Sequence, residues 1–127
     1  MRFILFLILL INSALATAQV AEFSFKDANI KLPKTPEGEL LRFEFPFTNK
    51  GTAPLIISEI KVQCSCTKFV YPKEPVPPGG SGVIKVSFDT KGKIGYQDRI
   101  LQIYANTKKN PTEVRFRVMV DNKHPIK

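Results

Sequence analysis

Residues 41–51 read Leu-Arg-Phe-Glu-Phe-Pro-Phe-Thr-Asn-Lys-Gly. Leu41, Phe43, Phe45 and Phe47 stand at every second position, with Arg42 and Glu44 between them. Side chains along a strand alternate between its two faces, so this period of two predicts a strand with one almost wholly aromatic face. Pro46 has no N–H to give to a ladder, which predicts a sheet edge or a bulge there. Asn49-Lys50-Gly51 then predicts the turn that ends the strand.

The same period extends in both directions. Glu22-Phe23-Ser24-Phe25-Lys26 alternates before it. Leu55-Ile56-Ile57 opens the next strand, in which Ile60, Val62, Cys64 and Cys66 share one face and Lys61, Gln63, Ser65 and Thr67 the other. Phe69-Val70-Tyr71 predicts a short further strand. Ile84, Val86 and Phe88 alternate with Lys85 and Ser87, and Leu101 and Ile103 mark the inner face of a strand over 99–105. Val114, Phe116, Val118 and Val120 alternate with Glu113, Arg115 and Arg117, which leaves Met119 with the outward set. Between these runs lie the proline- and glycine-rich stretch Pro72–Gly82, the basic loop Asp89–Gly95 and the turn Asn106–Pro111. About seven short strands with turns at regular spacing, and no helical period, predict an all-β fold: a single immunoglobulin-like antiparallel β-sandwich.

Met1-Arg2, the apolar run Phe3–Ile11 and the small-residue site Ala16-Thr17-Ala18 form the pattern of a secretory signal peptide. The unbroken apolar block is too short for a spanning helix, which needs roughly 20 residues. Cleavage after Ala18 is expected, with no transmembrane anchor left behind. Residues 1–18 are thus the signal, 19–121 the sandwich and 122–127 a flexible tail. No cysteine near the cleavage site offers a lipid attachment point.

The whole chain carries 19 basic and 11 acidic residues, a net charge of +8; removing Arg2 leaves 18 against 11, or +7. An exported protein meets anionic envelope polymers, lipid head groups or acidic proteins rather than nucleic acid, and dispersed lysines also keep a small β-protein soluble. Lys91 and Lys93 in the basic loop, with Tyr96 and Arg99 beyond it, are the candidate partner contacts.

The only two cysteines are Cys64 and Cys66. Positions two apart on a strand have Cα atoms roughly 6.5–7 Å apart, whereas a disulfide prefers about 4.4–6.8 Å. A bridge therefore requires a bend. Three readings stay open: small core residues or a local staple, soft-metal binding with copper favoured, and thiol–disulfide exchange. Ligand count favours the first, because a closed zinc site needs about four ligands and the only histidine, His124, lies in the tail.

Hydrolytic chemistry has little support. Gly79-Gly80-Ser81-Gly82-Val83 lacks the final glycine of a nucleophile elbow and follows prolines that mark a turn. Asp89, Asp98 and Glu113 are scattered over turns and strand ends. No calcium loop or phosphate-cradling glycine motif occurs.

Phe45-x-Phe47-Thr48-Asn49-x-Gly51-x-x-Pro54-Leu55-x-Ile57 resembles the strand–turn–strand core of Hydin-type (ASH) sandwiches, which belong with PapD-like and major-sperm-protein-like immunoglobulin folds. The run Cys64-Ser65-Cys66-Thr67, followed by Pro75-x-x-Pro78-Gly79-x-x-Gly82-x-Ile84-x-Val86-x-Phe88-Asp89-Thr90-x-Gly92-x-x-Gly95, is similar to a bacterial envelope family of unknown function whose members usually read Cys-Gly-Cys-Thr. The resemblance covers about residues 22–121. Ser65 stands where that family has glycine, which argues against an unusual backbone angle between the sulfurs.

The expected function is therefore an exported, non-catalytic immunoglobulin-like binding or structural module of the bacterial envelope, periplasmic or secreted, without a cofactor. Its partner is expected to be an envelope protein, met by edge-strand addition. A tandem pilus chaperone is not expected, since only one domain fits. The alternative is a periplasmic copper-binding or thiol redox protein that uses Cys64 and Cys66.

Overall fold

The computed structural model describes residues 18–122. The expected signal peptide lies almost wholly outside the described residues, as do His124 and most of the tail. Nine strands form two facing sheets, and no helix occurs among the described residues. The first sheet has the order β1 (Phe23–Phe25), β4 (Leu40–Asn49), β7 (Ser81–Asp89), β6 (Thr67–Val70). The second has the order β2 (Asn29–Lys31), β9 (Thr112–Asp121), β8 (Gly95–Ala105), β5 (Ile57–Lys61), with β3 (Thr35–Pro36) also on β9.

The alternating residues do what their period requires. Phe45, Ile84, Phe88, Leu101, Ile103, Val114 and Phe116 are fully or almost fully buried between the sheets. Phe88 meets Phe116 edge-on with centroids 5.2 Å apart, and Phe43 lies 4.8 Å from Phe116. Such offset and edge-on pairs add to the gain from area burial alone. Arg42, Glu44 and Lys85 fall on the outer face, as the alternation predicts.

β2 and β3 are additions to the expected set, and both pair with β9 in parallel, so the second sheet is mixed. They are too short to show a period. They exist because the chain after β1 crosses to the other sheet and runs along β9.

Pro46 shows how the aromatic strand tolerates proline. It stands opposite Val83 of β7 with no register shift, so no bulge is needed. β1 pairs only with Phe47, Thr48 and Asn49, and Lys26 N donates to Pro46 O at 3.1 Å. The N–H and C=O of one residue in an antiparallel strand point to the same side. The missing N–H of Pro46 therefore faces the end of β1, where no ladder bond is lost. Phe43, by contrast, pairs with Val86 inside the sheet.

Asn49 ties the end of β4 to its surroundings and is fully buried. Its Oδ1 accepts from Glu22 N (3.2 Å) and Gly51 N (2.9 Å). Its Nδ2 donates to Ala53 O (2.8 Å) and Val76 O (3.0 Å). One amide thus fixes the N-terminal segment, the turn after β4 and the proline-rich connection. Gly51 permits this closeness, because a Cβ there would collide with Val20 O and the Ala21 and Glu22 backbone.

Candidate functional site

β5 ends earlier than its apolar pattern suggests. The β5–β8 ladder runs through Glu59–Tyr104, Ile60–Ile103 and Lys61–Gln102 and stops. Val62 to Cys66 leave the second sheet and cross to β6 in the first. The expected single strand face for Ile60, Val62, Cys64 and Cys66 is therefore corrected beyond Lys61: Ser65 and Cys66 form a turn. Alternation survived in the sequence because Val62 and Cys66 both pack against the core while the chain changes sheets.

Cys64 and Cys66 are joined as a disulfide, with Cα atoms 5.2 Å apart. The turn supplies the bend that the bridge requires. Cys66 N lies 3.3 Å from Cys64 Sγ, and Thr67 N donates to Cys64 O at 3.1 Å. Cys66 O accepts from Asp89 N at 3.0 Å, which fastens the turn to the end of β7. In this state neither sulfur is a thiolate, so metal binding would start from the reduced pair.

The departure of β5 leaves part of β8 unpaired on that side. Asn106 N donates to Ile56 O, and main-chain groups repeat their direction every two residues. β8 keeps an unbroken register with β9 from Gly95 to Ile103. The N–H and C=O groups of Tyr96, Asp98 and Ile100 therefore point to the vacant side, while those of Gln97, Arg99 and Leu101 point to β9. The outer edge of β5 is treated differently: the Tyr71 hydroxyl donates to Ser58 O at 3.3 Å.

Beside the disulfide turn, along this edge and over the outer face of β8 and β9, lies a cleft of about 410 Å³. Cys64, Thr67 and Arg99 line it, and so do the charged side chains of Asp98, Glu113 and Arg115. Arg99 shares the inward side of β8 with Gln97 and Leu101. Its guanidinium donates to Asp98 O (3.0 Å) and Gln97 Oε1 (2.7 Å) and rests 5.6 Å from the centre of the Phe88 ring. Asp98 turns outward, 3.1 Å from Arg115 Nε.

The four candidate contact residues separate into two places. Lys91, Lys93 and Tyr96 sit at or beside the β7–β8 turn, where Tyr96 stands opposite Met119 on the outer face. Arg99 lies in the cleft on the other side of β8. Asn49 and Thr67 were read as turn and motif residues, but not as buried polar groups. Their burial depends on neighbours distant in sequence.

Residues 23–120 match the family described as "Protein of unknown function (DUF1573)". The chain belongs to the DUF1573 family. The match falls within the span of the resemblance drawn from the motifs, and the disulfide turn, β8 and the cleft all lie inside it. No curated protein matches the chain significantly.

Solved structures place the DUF1573 domain among PapD-like immunoglobulin folds. It superposes on a protein of unknown function from Porphyromonas gingivalis W83 with a TM-score of 0.68 at 18% identity, covering 86% of this chain and 50% of that one. The ASH/PapD-like domain of human CEP192 gives 0.62 at 11% identity, with 87% of this chain and 92% of that domain covered. The Vibrio cholerae VesB protease gives 0.61 at 14% identity, over 80% of this chain but only 32% of the protease. The DUF1573 chain thus spans half of the first of these proteins and a third of the protease. At these identities the likeness is one of fold alone.

Proposed function

We propose that the protein is a non-catalytic binding module of the bacterial cell envelope, exported by its N-terminal signal, which takes up an extended segment of an envelope protein as an added strand on β8. The carrying observation is the early end of β5, which leaves the edge groups of Tyr96, Asp98 and Ile100 without a partner strand. An unpaired edge is a template for main-chain hydrogen bonds, and β-augmentation uses it. The disulfide fits an oxidising compartment such as the periplasm or the exterior. The PapD-like fold supports a binding role by analogy only.

The experiment replaces Tyr96 with a photo-crosslinking phenylalanine in the exported protein and compares it with the same replacement at Tyr104, where β5 covers the edge. Discrete adducts from position 96 are expected, and they should disappear when Ile100→Pro is added. Ile100 N–H faces the vacant side, so proline there spares the native ladder. Adducts that persist with Ile100→Pro, or that arise equally from position 104, would count against strand addition at β8.

A further inference from the structure

β4 carries a second open edge, on the flank of the sandwich away from β5. β1 pairs only with Phe47, Thr48 and Asn49, and Lys26 N adds one bond to Pro46 O. Residues 26–28 then carry the chain across to β2, which pairs with β9 in the other sheet. Among the described residues, no strand pairs with β4 on that side between Leu40 and Phe45. The direction of the free groups is fixed. Pro46 O faces β1, Asn49 N faces Gly80 O beside β7, and main-chain groups repeat their direction every two residues. The N–H and C=O of Arg42 and Glu44 therefore point to the vacant side, while those of Phe43 and Phe45 face β7.

The space beside this edge has an apolar floor. Ile30 stands opposite Phe116 in the β2–β9 pair, and the Phe43 ring lies 4.8 Å from the same Phe116 ring. β2 thus runs in the second sheet beneath the place that a neighbour of β4 would take in the first. Leu32 follows along β9, its N–H bonded to Arg117 O. Ile30 and Leu32, with Leu41 and Phe43 of β4 and Phe25 at the end of β1, pack against the core yet are only partly buried. The charged side chains nearby do not face this floor. Lys31 shares the outer face of the second sheet with Arg117, and Arg42 and Glu44 stand on the outer face of the first. Lys26 and Asp27 lie in the exposed crossing, where Asp27 Oδ1 accepts from Asn29 N at 3.0 Å.

We infer that the β4 edge is a second binding site, which takes up one extended segment of a partner protein with apolar residues at every second position. Side chains of an added strand alternate between the two faces of the sheet. Main-chain bonds to Arg42 and Glu44 hold the segment, and its inward side chains cover Ile30, Leu32 and Phe43. The site is independent of the one on β8, because it lies on the other sheet and the other flank. A second copy of this chain does not fit. β9 lies across the core from β4, so a copy joined through its own β4 would bring its β9 into the place of β2. A single strand brings no second sheet and avoids that collision.

The test titrates two blocked heptapeptides, Lys-Val-Thr-Val-Thr-Val-Lys and Lys-Ser-Thr-Ser-Thr-Ser-Lys, into isotopically labelled protein. The valine peptide is expected to shift Leu41 to Phe45 together with Ile30 and Leu32. It should bind about tenfold or more tightly than the serine peptide, which corresponds to burying about one valine side chain. Glu44→Pro should remove these shifts, and Ile100→Pro should leave them in place. Proline at 44 spares the native ladder for the same reason that Pro46 does. Should Glu44→Pro fail to fold, exchange of the Arg42 and Glu44 amides in the unaltered protein decides the question, and the valine peptide should slow both. Shifts confined to β8, equal affinities for the two peptides, shifts that survive Glu44→Pro, or unaltered exchange at Arg42 and Glu44 would overturn the β4 site.

Discussion

Lys61 stands opposite Gln102 in the last rung between β5 and β8. Beyond that rung the chain bends into the disulfide turn, and β8 continues alone on that side as far as Gly95. The proposed site therefore depends on where one strand stops and not on a set of reactive groups.

The disulfide should contribute little to global stability. It closes a loop of three residues, so it restricts the unfolded chain only slightly. The Cys64→Ala/Cys66→Ala double variant is expected to lose about 2 kcal/mol or less in chemical denaturation. A loss of twice that size would mean that the bridge holds more of the sandwich than its own turn.

Asn49 should be far more costly to remove. Asn49→Ala strands two part-buried donors and two carbonyl acceptors, one of them fully buried, around the end of β4. Each unsatisfied buried group costs roughly 1–3 kcal/mol, so the expected loss is about 3 kcal/mol or more. A loss below about 1 kcal/mol, the usual net value of a single hydrogen bond, would contradict its role as the tie between three segments.

Gly51→Ala tests the docking of the N-terminal segment. The new methyl would meet the backbone of Val20, Ala21 and Glu22, which cannot move without losing the Thr52 N to Val20 O bond. Overpacking of this kind costs about 1–3 kcal/mol. Proteolysis near Val20 should also become faster, and unchanged protection would argue against the contact.

Thr67→Val should run in the opposite direction. It removes a buried hydroxyl that has no partner and keeps the shape of the side chain. Stability should stay level or rise by up to about 1 kcal/mol, as measured by urea denaturation. A clear loss would show that the hydroxyl is satisfied in solution.

Much of the sandwich was legible because its buried positions repeat every second residue, as in Phe45 and Phe47 or Val114 to Val120. β2 and β3 were not, since they owe their existence to β9 and are too short to carry a period. The cysteine pair was legible as chemistry but misplaced on a strand. Alternation reports which residues are buried, and it cannot tell a continuing strand from a chain that changes sheets with the same residues inward. Arg99 was read as a surface contact of the basic loop because charge alone does not disclose a face. Its inward position follows from Leu101 and Ile103 two and four residues later.

The most direct test is residue-resolved amide hydrogen exchange along β8. The unpaired edge predicts fast exchange at Tyr96, Asp98 and Ile100, and slow exchange at Gln97, Arg99 and Leu101, which pair with β9. Slow exchange at all six amides in the isolated protein would mean that the edge is already covered and would contradict the proposed site.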